Sequence, residues 1–202
     1  MKPKHILLVV FLFSTLNGFT QAVWEVNFVR NANPVNPNNQ LWKTLSSTEK
    51  PIVIGVPMGM FVAGLITKNK DLQIDAYETA AGLVITTLAT QSLKAIVKRP
   101  RPYRTYADIY PDEMDDSYSF PSGHTSSVFF IATSLALTCK KWYITVPAFT
   151  WATGVGYSRM YLGQHYPSDV FVGAVVGAGS AYASHWLNKK FFLRKKKITQ
   201  LP

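Results

Sequence analysis

The sequence predicts an all-α protein, a polytopic membrane helical bundle of five to six transmembrane helices. Three observations lead there. Uncharged apolar runs recur along the chain. Lysine-rich turns separate them in a regular alternation. Aromatic residues gather at several run ends, as they do at a membrane surface. The chain has 202 residues and a formal net charge of +10, enough for one domain with a core. Its mean hydropathy of +0.06 and its short runs leave a bundle of buried soluble helices as the alternative.

Residues 1–22 form the first element. Lys2, Lys4 and His5 precede the apolar run Ile6 to Leu16, and small positions Thr20 and Ala22 follow. This layout is either a secretory signal cleaved after Ala22 or an uncleaved first span. Residues 23–50 are rich in Asn and Pro, which is turn and loop chemistry. They are expected as an outer-side loop with a short amphipathic helix near Trp42.

The membrane domain is expected over 51–188. Its uncharged runs are Pro51 to Thr67, Thr79 to Leu93, Thr125 to Cys139, Trp142 to Tyr157 and Val170 to Leu187. Counting from the N-terminal run, the loops at 2–4, 68–70, 140–141 and 189–197 share one side, and all are lysine-rich. That is the positive-inside arrangement. Gly173, Gly177 and Ala181 recur at four-residue spacing, a small face that lets helices approach closely. Residues 189–202 are expected as a basic cytoplasmic tail, with Lys189, Lys190, Arg194, Lys195, Lys196 and Lys197 suited to an anionic membrane surface. No recognised nucleic-acid motif accompanies the tail, so nucleic acid is not an expected partner. The single cysteine, Cys139, excludes an intrachain disulfide.

Three polar clusters fall on the opposite side. The first runs from Lys94 through Lys98-Arg99-Pro100-Arg101-Pro102. Pro100 disfavours helix at Arg99, and cations at a helix end and a stiff turn can grip a phosphate from two directions. The alternative for these cations is interfacial snorkelling, which suits Lys98 and Arg99 better than Lys94 and Arg101 only because of the resemblance described below. The second is Pro121-Ser122-Gly123-His124. Ser122 reads as an N-cap, so free N–H groups make an anion site. Gly123 allows close backbone approach, and His124 titrates in a range suited to proton transfer. The third is Ser158-Arg159 followed by His165 and Asp169. Asp169 can hold one imidazole nitrogen and leave the other free to attack. The linker 103–120, with Asp108, Asp112, Glu113, Asp115 and Asp116, reads as a solvated loop beside the site.

These residues resemble the type 2 phosphatidic acid phosphatase superfamily, which includes membrane lipid phosphatases, class A acid phosphatases and vanadium haloperoxidases. The resemblance rests on Lys94 with Arg101-Pro102, on Pro121-Ser122-Gly123-His124, and on Ser158-Arg159 with His165 and Asp169. It implies a phosphatidic acid phosphatase/haloperoxidase-like bundle. In that bundle His165 attacks phosphorus, Asp169 orients it and His124 protonates the leaving oxygen. Lys94, Arg101, Ser122, Gly123 and Arg159 hold the phosphoryl oxygens, and neither metal nor cofactor is required. The implied partner is a lipid phosphate in a bacterial inner membrane, with the site facing the periplasm. The alternative is an exported soluble acid phosphatase. Oligomeric state is not legible in the sequence.

Overall fold

The computed structural model describes residues 23–190, and all regular structure among them is helical. The expected signal or first span at 1–22, and the tail beyond Lys190, lie outside the described residues. Helix α1 is Val23–Ala32, α2 Gln40–Ser47, α3 Glu49–Ile66, α4 Lys70–Val97, α5 Pro102–Thr105, α6 Gly123–Cys139, α7 Trp142–Tyr161 and α8 Pro167–Asn188.

Local chemistry explains most boundaries. The Asn39 side chain accepts from Leu41 N at the start of α2. Asn69 accepts from Asp71 N and Leu72 N at the start of α4. Pro102 and Pro167 open α5 and α8, where a missing N–H costs nothing. Helices α4 and α6 end on Lys98 and Lys140 in the left-handed conformation.

The 23–50 segment is more ordered than its composition suggests. The expected helix near Trp42 is present as α2, but 23–32 is also helical. Its register buries Glu25, Val26 and Val29 together, and Asn33 then ties the following turn down. Asn33 Nδ2 donates to Tyr110 O at 2.8 Å and Tyr161 O at 2.7 Å, while its Oδ1 accepts from Tyr110 N at 2.7 Å.

Helix α6 runs through the core. Val128, Phe130, Ile131 and Ala132 are fully buried with Ala152, Val155 and Ala181 around them. The small face of α8 meets α6 directly. A Cβ at Gly177 would lie 2.1 Å from Ser126 O, and one at Gly173 would lie 2.7 Å from Ser122 O. No side chain fits at either position, so the stripe sets the α6–α8 separation.

Among the described residues, three stretches are long and apolar enough to cross a membrane: Gln40–Ile66, Lys70–Thr105 and Pro167–Asn188. Length and composition therefore do not reproduce the expected count of five to six. Helix α6, at 17 residues, is short for a span, and α7 is made less apolar by Thr145, Thr150, Thr153 and Arg159. The alternation is as expected. Glu49 starts α3, Lys94 lies near the end of α4, Gly123 starts α6, Arg159 lies near the end of α7 and Asp169 lies near the start of α8. Up-and-down order thus brings these residues to one end and leaves Lys68, Lys140 and Lys141 at the other.

Candidate active site

The three clusters converge. A cavity of about 390 Å³ is lined by Lys94, Arg101, Gly123, His124 and His165, with Glu49 and Asp115 also on its wall. A Cβ at Gly123 would meet only Thr90 Cγ2, at 3.9 Å. Packing against the protein therefore does not demand glycine there; the space beside it belongs to the cavity. Ser122 is fully buried and caps α6, with Thr125 N and Oγ1 donating to its Oγ at 3.4 and 2.9 Å. Its hydroxyl oxygen thus accepts both bonds from α6, and Ser122 N donates to Asp169 O at 3.0 Å, joining the second cluster to the third.

His165 sits in the turn between α7 and α8. That turn needs Gly163, whose φ is +69° and whose Cβ would lie 2.6 Å from Tyr110 O. The imidazole is 2% exposed. Its Nδ1 lies 3.6 Å from Asp169 Oδ2 and 3.5 Å from Ser119 Oγ, so Nε2 is the nitrogen left for chemistry. Burial pushes the imidazole down to about 3, against the upward pull of Asp169 and with Arg101 adding to the depression. The ring is therefore neutral and nucleophilic at ordinary pH.

Asp169 is fully buried. Its Oδ2 accepts from Tyr166 N at 2.8 Å and from the Ser119 hydroxyl. Its Oδ1 accepts from Arg99 Nη1 at 2.7 Å. Arg99 is not a snorkelling residue. The Lys98 turn swings it inward, where it is 7% exposed and its Nη2 donates to Glu25 Oε2 at 2.9 Å. Arg99, Glu25 and Ser119 were not legible as site residues, because their partners lie 50 or more positions away.

The cations are pre-engaged. Arg101 donates to Ser117 O at 3.0 Å, to Gln164 Oε1 at 2.8 Å and to Asp115 Oδ2 at 2.5 Å. Lys94 Nζ donates to Tyr118 O. The 103–120 linker is therefore not simply a solvated loop. Asp108 pairs with Arg30, Asp116 with Arg104, and Asp112 accepts from Gln164. Burial raises the Asp115 carboxyl, but the Ser117 N–H and the Arg101 guanidinium outweigh it and hold it below its ordinary range.

Arg159 lines an adjoining cavity of about 380 Å³ that shares His124 and Lys50 with the first. It is bound to Ser46 Oγ at 2.7 Å, and its Nε has no hydrogen-bond partner. His124 stands between the two cavities, with Nε2 4.0 Å from Glu49 Oε2. Among the described residues no group of three or more His, Cys, Asp or Glu is arranged to hold a metal ion.

Comparison with known proteins agrees with this architecture. The family model described as PAP2 superfamily matches residues 76–193. The lipid A 4'-phosphatase of Bacteroides thetaiotaomicron is 27% identical over 175 residues, 82% of this chain and 78% of that protein. The undecaprenyl-diphosphatase of Sulfolobus acidocaldarius is 34% identical over 104 residues, 50% of this chain and 49% of that one. The crystal structure of Aquifex aeolicus LpxE superposes with a TM-score of 0.67 at 25% identity, over 82% of this chain and 97% of that one. A transmembrane PAP2 type phosphatidylglycerolphosphate phosphatase from Bacillus subtilis superposes with a TM-score of 0.70 at 23% identity, over 92% of this chain and 96% of that one, a likeness of fold.

Proposed function

Because the chain belongs to the PAP2 superfamily, we propose that it is a membrane phosphatase hydrolysing a phosphate ester or pyrophosphate of an envelope lipid. The observation that carries this reading is the single cavity walled by His165, His124, Lys94, Arg101 and Gly123. In it His165 Nε2 attacks phosphorus, forming a P–N bond as the bond to the leaving oxygen breaks. Asp169 holds Nδ1–H and stabilises the positive charge that develops on the ring. Lys94, Arg101, Arg159 and the N–H groups at the start of α6 stabilise the phosphoryl oxygens. Burial, with Arg159 beside it, pushes the His124 imidazole down to about 3, so it is charged only when the phosphate anion enters beside it; it then gives that proton to the leaving oxygen and takes one from the water that cleaves the phosphohistidine. Ser122 contributes by holding that helix start in place. These residues suffice for the chemistry without a metal.

The candidate substrates are a lipid A phosphate, undecaprenyl pyrophosphate and phosphatidylglycerol phosphate. The likeness to a lipid A 4'-phosphatase over most of both chains favours the first. We assign the protein to a bacterial inner membrane with five to six spans and the site facing the periplasm, in keeping with the lysines at the opposite end.

The test is the purified protein against a panel of lipid mono- and diphosphates in the presence of chelator, with products read by mass spectrometry. Release of inorganic phosphate, lost in His165→Ala, is the expected result. Loss of activity on chelation, or activity retained by His165→Ala, would remove the mechanism.

A further inference from the structure

Behind the proposed nucleophile lies an ionic chain that the reaction as written does not use. Glu25 is fully buried, an unusual state for a carboxylate. Its Oε1 accepts from Ser168 N at 2.9 Å, in the first turn of α8, and its Oε2 accepts from Arg99 Nη2 at 2.9 Å. Arg99 Nη1 then reaches Ser168 Oγ at 2.8 Å and Asp169 Oδ1 at 2.7 Å. The guanidinium carbon lies 3.9 Å from the centre of the Tyr166 ring. One planar fork therefore holds two carboxylates and rests on a ring three positions before one of them.

Accordingly, we propose that Glu25 and Arg99 are positioning residues for His165, acting through Asp169. This rests on His165 being the nucleophile. Arg99 occupies Asp169 Oδ1, which leaves Oδ2 to face the imidazole. The charges Glu25⁻, Arg99⁺ and Asp169⁻ sum to one negative charge. Removing Glu25 would leave Arg99 and Asp169 to cancel. The positive charge that grows on His165 as it attacks phosphorus would then lose its counter-charge. Glu25 lies outside the segment 76–193 that matches the family model, so this part of the site comes from helix α1, beyond the matched segment.

The test uses the full chain in detergent micelles with dioctanoyl phosphatidic acid as probe, measuring kcat, KM and the thermal midpoint together. Glu25→Gln is expected to lower kcat about tenfold or more, the scale of a unit charge behind a buried site, with KM within about twofold. Glu25→Asp should restore part of the loss. Unchanged kcat in Glu25→Gln overturns the proposal. So does a rise in KM alone, or equal losses in the Gln and Asp variants that track the thermal midpoint. If Glu25→Gln does not fold, Glu25→Asp and Arg99→Lys carry the test, and unaltered kcat in both overturns it. Wild-type protein that is inactive on every phosphate would instead remove the phosphatase reading itself.

Discussion

Arg99 and Asp169 are joined at 2.7 Å with both side chains almost wholly withdrawn from water. Breaking one side of such a pair leaves a buried charge uncompensated. Asp169→Asn keeps the shape and removes the charge that fixes the His165 tautomer. It is expected to lower kcat by roughly 10³-fold or more. Steady-state kinetics on the purified variant would show this, and a loss under tenfold would mean that Asp169 does not orient the imidazole.

The burial of His165 predicts a pH dependence of stability. Its folded-state value of about 3 lies below the ordinary 6.5, so the unfolded chain takes up the proton first as pH falls. The neutral, buried ring costs nothing above about pH 7 and increasingly destabilises the fold from about pH 6.5 down to about 3. Relative to His165→Asn, the wild type should lose on the order of 1 kcal/mol per pH unit across that window. Thermal midpoints of the two proteins at pH 8, 6 and 4.5 would show it. Parallel curves would contradict it.

On the proposed function, Asp115 competes with substrate for Arg101. Its carboxylate lies 2.5 Å from Arg101 Nη2 and its side chain is 46% exposed. Asp115→Asn removes the competing charge. Inhibition by inorganic phosphate and by vanadate should tighten about fivefold, the equivalent of a partly exposed ion pair worth about 1 kcal/mol. Weaker inhibition would assign Asp115 to positioning Arg101 instead.

The α6–α8 crossing predicts a contrast between two glycines of one helix. A Cβ at Gly177 would overlap Ser126 O, whereas one at Gly179 meets nothing within 4 Å. Gly177→Ala should cost about 1–3 kcal/mol or more through overpacking. Gly179→Ala should be neutral or slightly stabilising. Thermal unfolding in detergent compares them, and equal midpoints would mean that the crossing relaxes freely.

The sequence by itself determined the helical alternation and the polar residues that meet at one cavity. Lysines punctuate the runs, and membrane charge asymmetry is a rule about sequence position. The roles of Ser122 as a cap and of Asp169 beside His165 follow from spacings of a few residues, which a helix start or turn converts directly into geometry. Only the tertiary structure decided which charges stand behind them. Lys98 and Arg99 are adjacent and alike in sequence. A left-handed turn leaves Lys98 outside and sends Arg99 between Glu25 and Asp169. The acidic linker was equally illegible, since Asp112 and Asp115 find Gln164 and Arg101 only after the helices pack. Local pattern records what a residue can do within a turn or two. Its partner 70 positions away depends on how helices cross, and the small face of α8, though visible in its own segment, does not say that α6 is the helix it meets.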